Sequence, residues 1–179
     1  MACSAASPTR SVADGSTPAV ILRPWLAEDA PTLAAAWDDS EIAAGSEPPA
    51  DRSVAAARRW IEGCAIREER MLAIDRVIDV AGVCVGEVGL SSIDQRRGAA
   101  LIGWWTAADR RGNGYARAGV EAMAMLAADQ FGVTALVAEI GIDNIASVRL
   151  AERAGFEILR EGTDARPHAY VLRHGGSST

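Results

Sequence analysis

Residues 99 to 130 read AALIGWWTAADRRGNGYARAGVEAMAMLAADQ, and no other stretch limits the folds open to this chain as strongly. A strand-length apolar and aromatic run passes through a glycine-punctuated turn into a long Ala-rich helix, on which Val120, Met123, Ala124 and Ala127 share a face. The next run, TALVAEIGI, reads as a strand again. Strand, helix, strand in that order is a crossover, and it joins parallel neighbours.

The rest of the chain reads differently. AVILRPW (Ala19–Trp25) is a short strand ended near Pro24, and a helix starts near Glu28 in LAEDAPTLAAAW. EIAAGSEPPAD reads as a loop, because Gly, Ser and the Pro pair punctuate it. A second helix is expected from Asp51 to about Glu69, capped by Asp51 or Ser53, with Val54, Ala57, Trp60, Ile61 and Cys64 on one face. MLAIDRV, AGVCVGEVGLSS and AALIGWWT then have strand composition, and the turns IDVAG and IDQRRG make them an antiparallel meander. Beyond the crossover, IASVRLAERAG is a helix closed by Gly155, and FEILRE and HAYVLR are two final strands. The expected class is α/β (α+β): a mixed, mostly antiparallel twisted sheet of about seven strands with about four helices. It forms one domain over residues 19–173. Residues 1–18 lack the basic start and apolar block of a secretory signal and read as a disordered leader, and residues 174–179 as a frayed tail.

Composition removes several chemistries. All 18 positive residues are arginine, so no P-loop lysine, Schiff-base lysine or Ser–Lys dyad exists. With a net charge of −6 and no basic run, nucleic acid is not an expected partner, and an acidic surface favours a cationic one. Apolar stretches break well before the roughly 18 residues of a membrane span. Cys3, Cys64 and Cys84 lack C-x-x-C spacing and, with only His168 and His174, make no zinc site and no catalytic triad. Reduced, buried thiols fit a cytoplasmic protein. No motif specifies a homodimer, although one stays open.

The turn itself suits an anion. Gly112 and Gly114 permit positive φ and leave backbone N–H groups uncovered at the positive end of a helix dipole. Arg110 and Arg111 can add charge-assisted hydrogen bonds, and Asn113 could cap the helix. Three readings fit: a plain tight turn with solvated arginines, a dinucleotide site, or an acyl-coenzyme A cradle. Against the second, Arg117 stands where a third glycine belongs, and one crossover cannot build six parallel strands.

Arg111-Gly112-Asn113-Gly114-Tyr115-Ala116 matches Q/R-x-x-G-x-G/A position for position, and thereby resembles the acetyl-coenzyme A signature of the GNAT superfamily of N-acetyltransferases. Asn144 to Phe156 is similar to that family's second signature, N-x-x-S/A … G-F. ILRPWLAEDA and IGWWTAADRRGNGYA resemble its RimJ/RimL-like branch, which acetylates ribosomal-protein N-termini.

The resemblance implies the GNAT fold and acetyl transfer, without a metal, from acetyl-coenzyme A to a primary amine of a protein N-terminus or small molecule. The alternative is an idle acyl-coenzyme A-binding regulatory module. It further implies that the amides of Gly112 to Ala116, with Arg111, hold the pyrophosphate, that Asn144 bonds pantetheine, and that pantetheine pairs with the strand edge near Trp105 and Thr106. A backbone N–H near Trp105 would face the thioester oxygen. Glu139, five residues before Asn144, is the first candidate base, expected to be pushed up by desolvation. Glu87 competes with it, and a water relay is a third option. The family's usual tyrosine acid is replaced by Ala151, which leaves Ser147 as the available donor unless it merely caps its helix.

Overall fold

In the computed structural model, which describes residues 19–173, the apolar alternation of residues 73–106 forms the central meander of a seven-stranded sheet. The strands are β1 (Ile21–Arg23), β2 (Ala73–Val80), β3 (Val83–Asp94), β4 (Ala99–Thr106), β5 (Ala135–Ile140), β6 (Glu157–Arg160) and β7 (His168–Arg173). Their order is β1-β2-β3-β4-β5-β7-β6, with β4–β5 parallel and every other neighbouring pair antiparallel. The expected leader and tail, with Cys3 and His174, lie outside the described residues.

The four expected helices become six: α1 (Ala30–Asp38), α2 (Ser40–Gly45), α3 (Val54–Glu62), α4 (Cys64–Glu69), α5 (Tyr115–Phe131) and α6 (Ile145–Arg153). The segment expected as a loop after α1 begins with α2, because Asp39 Oδ1 accepts the Glu41 and Ile42 amides at 2.9 and 3.3 Å and Ile42 is buried. The second expected helix divides at Gly63. A Cβ there would stand 2.8 Å from Arg67 Nη1, so the bare glycine lets Arg67 fold back to the Trp60 carbonyl at 3.3 Å. Ser53, rather than Asp51, caps α3 by accepting the Ala56 amide at 3.2 Å.

Helices cover both faces of the sheet. On one, Val120, Met123 and Ala127 of α5 and Ala151 of α6 pack on Ile74, Ile78, Val88, Leu90 and Leu136. On the other, Leu33 and Trp37 of α1 and Ala57 and Ile61 of α3 pack with Trp25 on Val77 and Cys84. Each fully buried large aliphatic side chain contributes about 1.5–3 kcal/mol. Among the described residues no helix is long and apolar enough to cross a membrane.

One irregularity positions the site. The parallel strands pair only at Ala99–Ala135, Ala100–Leu136 and Leu101–Val137. Beyond that point β4 and β5 separate, and residues 102–106 have no partner strand on their β5 side.

Candidate active site

The polarity of the free β4 edge follows from its other neighbour. The Ala107 amide donates to the Val85 carbonyl at 3.0 Å, continuing the register that pairs Glu87 with Trp105 and Gly89 with Gly103. In an antiparallel pair, hydrogen-bonded residues alternate. Trp105 and Gly103 therefore direct their backbone groups to β3, while Ile102, Trp104 and Thr106 direct theirs into the gap. The N–H expected near Trp105 is thus that of Trp104, one residue earlier. Trp104, not among the residues singled out in the sequence, shares the outward parity of Thr106. Thr106 does face the gap, and its carbonyl accepts from Arg111 Nε at 3.3 Å.

The gap ends at the start of α5. Gly112 and Gly114 both have φ +77°, a left-handed conformation that L side chains adopt at a cost. A Cβ at Gly112 would meet nothing within 4 Å, so the turn is open to solvent. The Ala118 amide bonds the Gly114 carbonyl at 3.1 Å, and the amides of Tyr115, Ala116 and Arg117 precede that first helical bond. Asn113 does not cap α5, whose N-cap is Gly114. Its Nδ2 closes the loop instead, donating to the Arg110 and Arg111 carbonyls at 3.0 and 3.1 Å.

The two arginines differ. Arg110 is exposed and pairs with Asp109 at 3.2 Å. Arg111 is already engaged: Nη2 lies 2.6 Å from Asp39 and Nη1 2.8 Å from Glu41. Its guanidinium ties the loop to α2, a contact between distant segments that no local motif announces.

The candidate bases occupy unlike surroundings. Glu139 is exposed on β5, 3.5 Å from Arg160, because none of the helices packed on β1 to β4 extends over that face of β5. The expected dry environment is absent there. Glu87 is the more enclosed of the two: it is half-buried on β3, on the side where Arg67 and Cys64 of α4 lie, and Oε2 accepts the Trp105 indole N–H at 3.0 Å. Burial pushes this carboxyl up to about 8, and the charge of Asp75 adds to the rise. The Trp105 bond and the Arg67 charge act in the opposite direction without cancelling it.

On the far side of the gap, Asn144 caps α6 by accepting the Ser147 amide at 3.0 Å. Ser147 is therefore not the cap, and its half-buried side chain sits in the first turn of α6, just beyond the free end of β5. Ala151, where a tyrosine acid would stand, is fully buried. His168 is structural, Nδ1 accepting the Gly162 amide at 2.9 Å. Burial holds the Cys64 and Cys84 thiols up at about 12. Among the described residues no group of His, Cys, Asp or Glu could hold a metal ion.

The sequence model of the acetyltransferase (GNAT) domain matches residues 19–157. No curated protein matches the chain in sequence. Several solved structures share its fold. The microcin C7 self-immunity acetyltransferase MccE, in complex with acetyl-CoA and AMP, is 20% identical over 87% of this chain and 92% of its own, with a TM-score of 0.73. RimJ of Mycobacterium smegmatis, in complex with a CoA disulfide, is 20% identical over 86% and 81%, with a TM-score of 0.72. The Salmonella typhimurium acetyltransferase that modifies the N-terminal serine of a 50S ribosomal subunit protein is 20% identical over 86% and 94%, with a TM-score of 0.71.

Proposed function

The chain belongs to the GNAT acetyltransferase family, and from that premise we propose how its site moves an acetyl group from acetyl-coenzyme A to a primary amine. One observation carries the reading. The unpaired β4 edge at residues 102–106 runs to a helix start with open amides, and the Glu87 carboxyl stands one strand away.

In this reading the pyrophosphate lies on the amides of Gly112 to Ala116, where the dipole of α5 favours negative charge. Arg110 is free to approach it, and Arg111 reaches it by releasing Asp39 or Glu41. Pantetheine adds to β4 as an extra strand, with Asn144 on the opposite wall. The Trp104 amide then meets the thioester oxygen and polarises the carbonyl.

The acceptor arrives as an ammonium on the Glu87 face, over the bare position of Gly103, where a Cβ would meet nothing within 4 Å. Glu87 takes one ammonium proton. The amine lone pair forms the C–N bond to the thioester carbon, and the C–S bond of the tetrahedral adduct breaks. The second proton of the attacking nitrogen passes to the departing thiolate, with the Ser147 hydroxyl as the available relay that gives up one proton and takes back the other. Glu139, on the β5 side, attracts the cationic acceptor rather than accepting its proton.

The acceptor is a peptide or protein N-terminus or a small-molecule amine. A like-folded enzyme that modifies an N-terminal serine supports the first class. The free cysteines Cys64 and Cys84 and an amine acceptor of this kind support a cytoplasmic location.

Incubation with acetyl-coenzyme A and a panel of amines, following free thiol, tests the whole reading. Turnover on at least one amine is expected. Binding without turnover on any would leave an idle binding module, and no binding at all would remove the donor assignment.

A further inference from the structure

Asp75 on β2 lies directly opposite Gly89 on β3, and Gly89 lies two residues beyond Glu87, on the same face of the sheet. A Cβ at Gly89 would stand 3.3 Å from Asp75 Oδ1 and 3.5 Å from Glu87 Oε1. Both carboxyl groups therefore lean into one hollow, which exists because Gly89 has no side chain. Their outer oxygens are held apart. Asp75 Oδ2 accepts from Arg67 Nη2 and Nε at 3.0 and 3.2 Å, and Glu87 Oε2 accepts from Trp105 at 3.0 Å. Asp75 Oδ1 and Glu87 Oε1 are left facing the hollow.

Arg67 is itself fixed from three sides. It donates to the Trp60 carbonyl at 3.3 Å and to Cys64 Sγ at 3.0 Å, and its guanidinium carbon lies 4.3 Å from the centre of the Trp60 ring. The Asp75 side chain is only 10% exposed, so its charge is screened less than that of an open surface carboxylate.

We propose that Asp75 is a positioning residue for proton transfer at Glu87: across the Gly89 hollow its carboxylate makes the Glu87 carboxyl a stronger proton acceptor, and Arg67 sets how strongly. This rests on Glu87 being the group that takes the acceptor's proton. Like charges sharing a dry site favour the form in which one of them holds a proton. The consequence is chemical matching. A carboxylate of ordinary affinity takes a proton from an alkylammonium poorly, whereas one whose affinity approaches that of the amine takes it with little cost.

The other groups around Glu87 do not supply this effect. Cys64 on α4 and Cys84 on β3 are both held near 12 and are neutral at neutral pH. The Trp105 indole on β4 is a neutral donor. Asp75 and Arg67 are the charges among the described residues that act on Glu87, and they act with opposite signs.

That opposition defines the experiment. The pH dependence of kcat, at saturating acetyl-coenzyme A and amine, is measured for the wild type, Asp75→Asn, Arg67→Gln, Arg67→Lys and Glu87→Gln. In parallel, the Trp105 indole N–H resonance, which reports the Glu87 carboxyl directly, is titrated without substrates. Asp75→Asn is expected to move both midpoints down by about one pH unit. Arg67→Gln moves both up, and Arg67→Lys restores them, which a merely structural role would not do. An indole midpoint unmoved in Asp75→Asn, or Arg67→Gln moving it in the same direction as Asp75→Asn, overturns the proposal. Full kcat in Glu87→Gln would instead overturn the base assignment, and the indole titration still decides whether the two carboxyls are coupled.

Discussion

Arg111 and Asp39 lie 2.6 Å apart, which joins the α5 cradle to the N-cap of α2 although 72 residues separate them in sequence. The arginine whose signature position suggests phosphate binding is thus held by a carboxylate that also caps a helix. In the proposed function, donor binding and the α1–α2 corner draw on the same guanidinium.

Asp39→Asn separates these roles, because asparagine caps as well as aspartate but carries no charge. Freed of one competitor, Arg111 should bind coenzyme A up to about fivefold more tightly, the 0–1 kcal/mol typical of a part-exposed ion pair. Calorimetric titration with coenzyme A measures this. A weaker affinity would mean that Asp39 holds Arg111 in its productive place.

Glu87→Gln should lower kcat by about 10²–10⁴-fold, the usual contribution of a general base, with little change in coenzyme A affinity. Glu139→Gln should leave kcat within about twofold and raise the KM of cationic amines, as removal of a rim charge does. The reverse pattern in steady-state kinetics would return the base to β5.

The raised Glu87 also sets two pH dependences. In the proposed reaction turnover needs its carboxylate, so kcat should rise through about pH 8 and then level. Stability runs the other way. With a folded value above the unfolded one, the native state holds a proton that the unfolded chain has lost. Stability is therefore full below about pH 4.3 and falls as pH rises through the folded value near 8. Denaturant titrations from pH 4 to 9 should show this decline, and Glu87→Gln should flatten it.

Two glycines should fail for different reasons. Gly112→Ala meets no neighbour but forces alanine to φ +77°, costing about 1–2 kcal/mol and weakening coenzyme A binding. Gly86→Ala would drive its Cβ into the Trp105 carbonyl, so β3 and β4 must part and shift Trp105 away from Glu87. Thermal melts with coenzyme A titrations separate the two: the first variant loses donor affinity with a modest fall in Tm, the second keeps the cradle but loses more stability and its turnover.

Arg23 bridges two buried carboxylates, Asp29 at 2.6 Å and Asp79 at 2.7 Å. Arg23→Ala leaves both without their cation and should cost about 3–5 kcal/mol, read as a lowered denaturation midpoint.

Much of this was legible in the residues themselves. The meander, the parallel crossover and the positive-φ glycines of the cradle follow from local periodicity and from the conformations glycine permits, and all three stand in the structure. Two helices were hidden because their cause is a single side chain each: the Asp39 carboxylate that nucleates α2, and the return of Arg67 that accompanies the break at Gly63. That the outward-facing amide is that of Trp104 rather than Trp105 depends on the register with β3, which local sequence does not set.

Glu87 and Glu139 mark where sequence stops. Each is a glutamate within an apolar strand, and nothing local distinguishes them. What separates them is surroundings: Glu87 is half-buried beside Asp75, Arg67 and Trp105, while Glu139 stays open to solvent beside Arg160. Backbone conformation is set by neighbours in the chain, so the sequence alone determined the strands, the crossover and the cradle. Desolvation and charge pairing are set by neighbours in space, so the packing of distant segments settles which carboxyl is the more enclosed and which arginine is engaged.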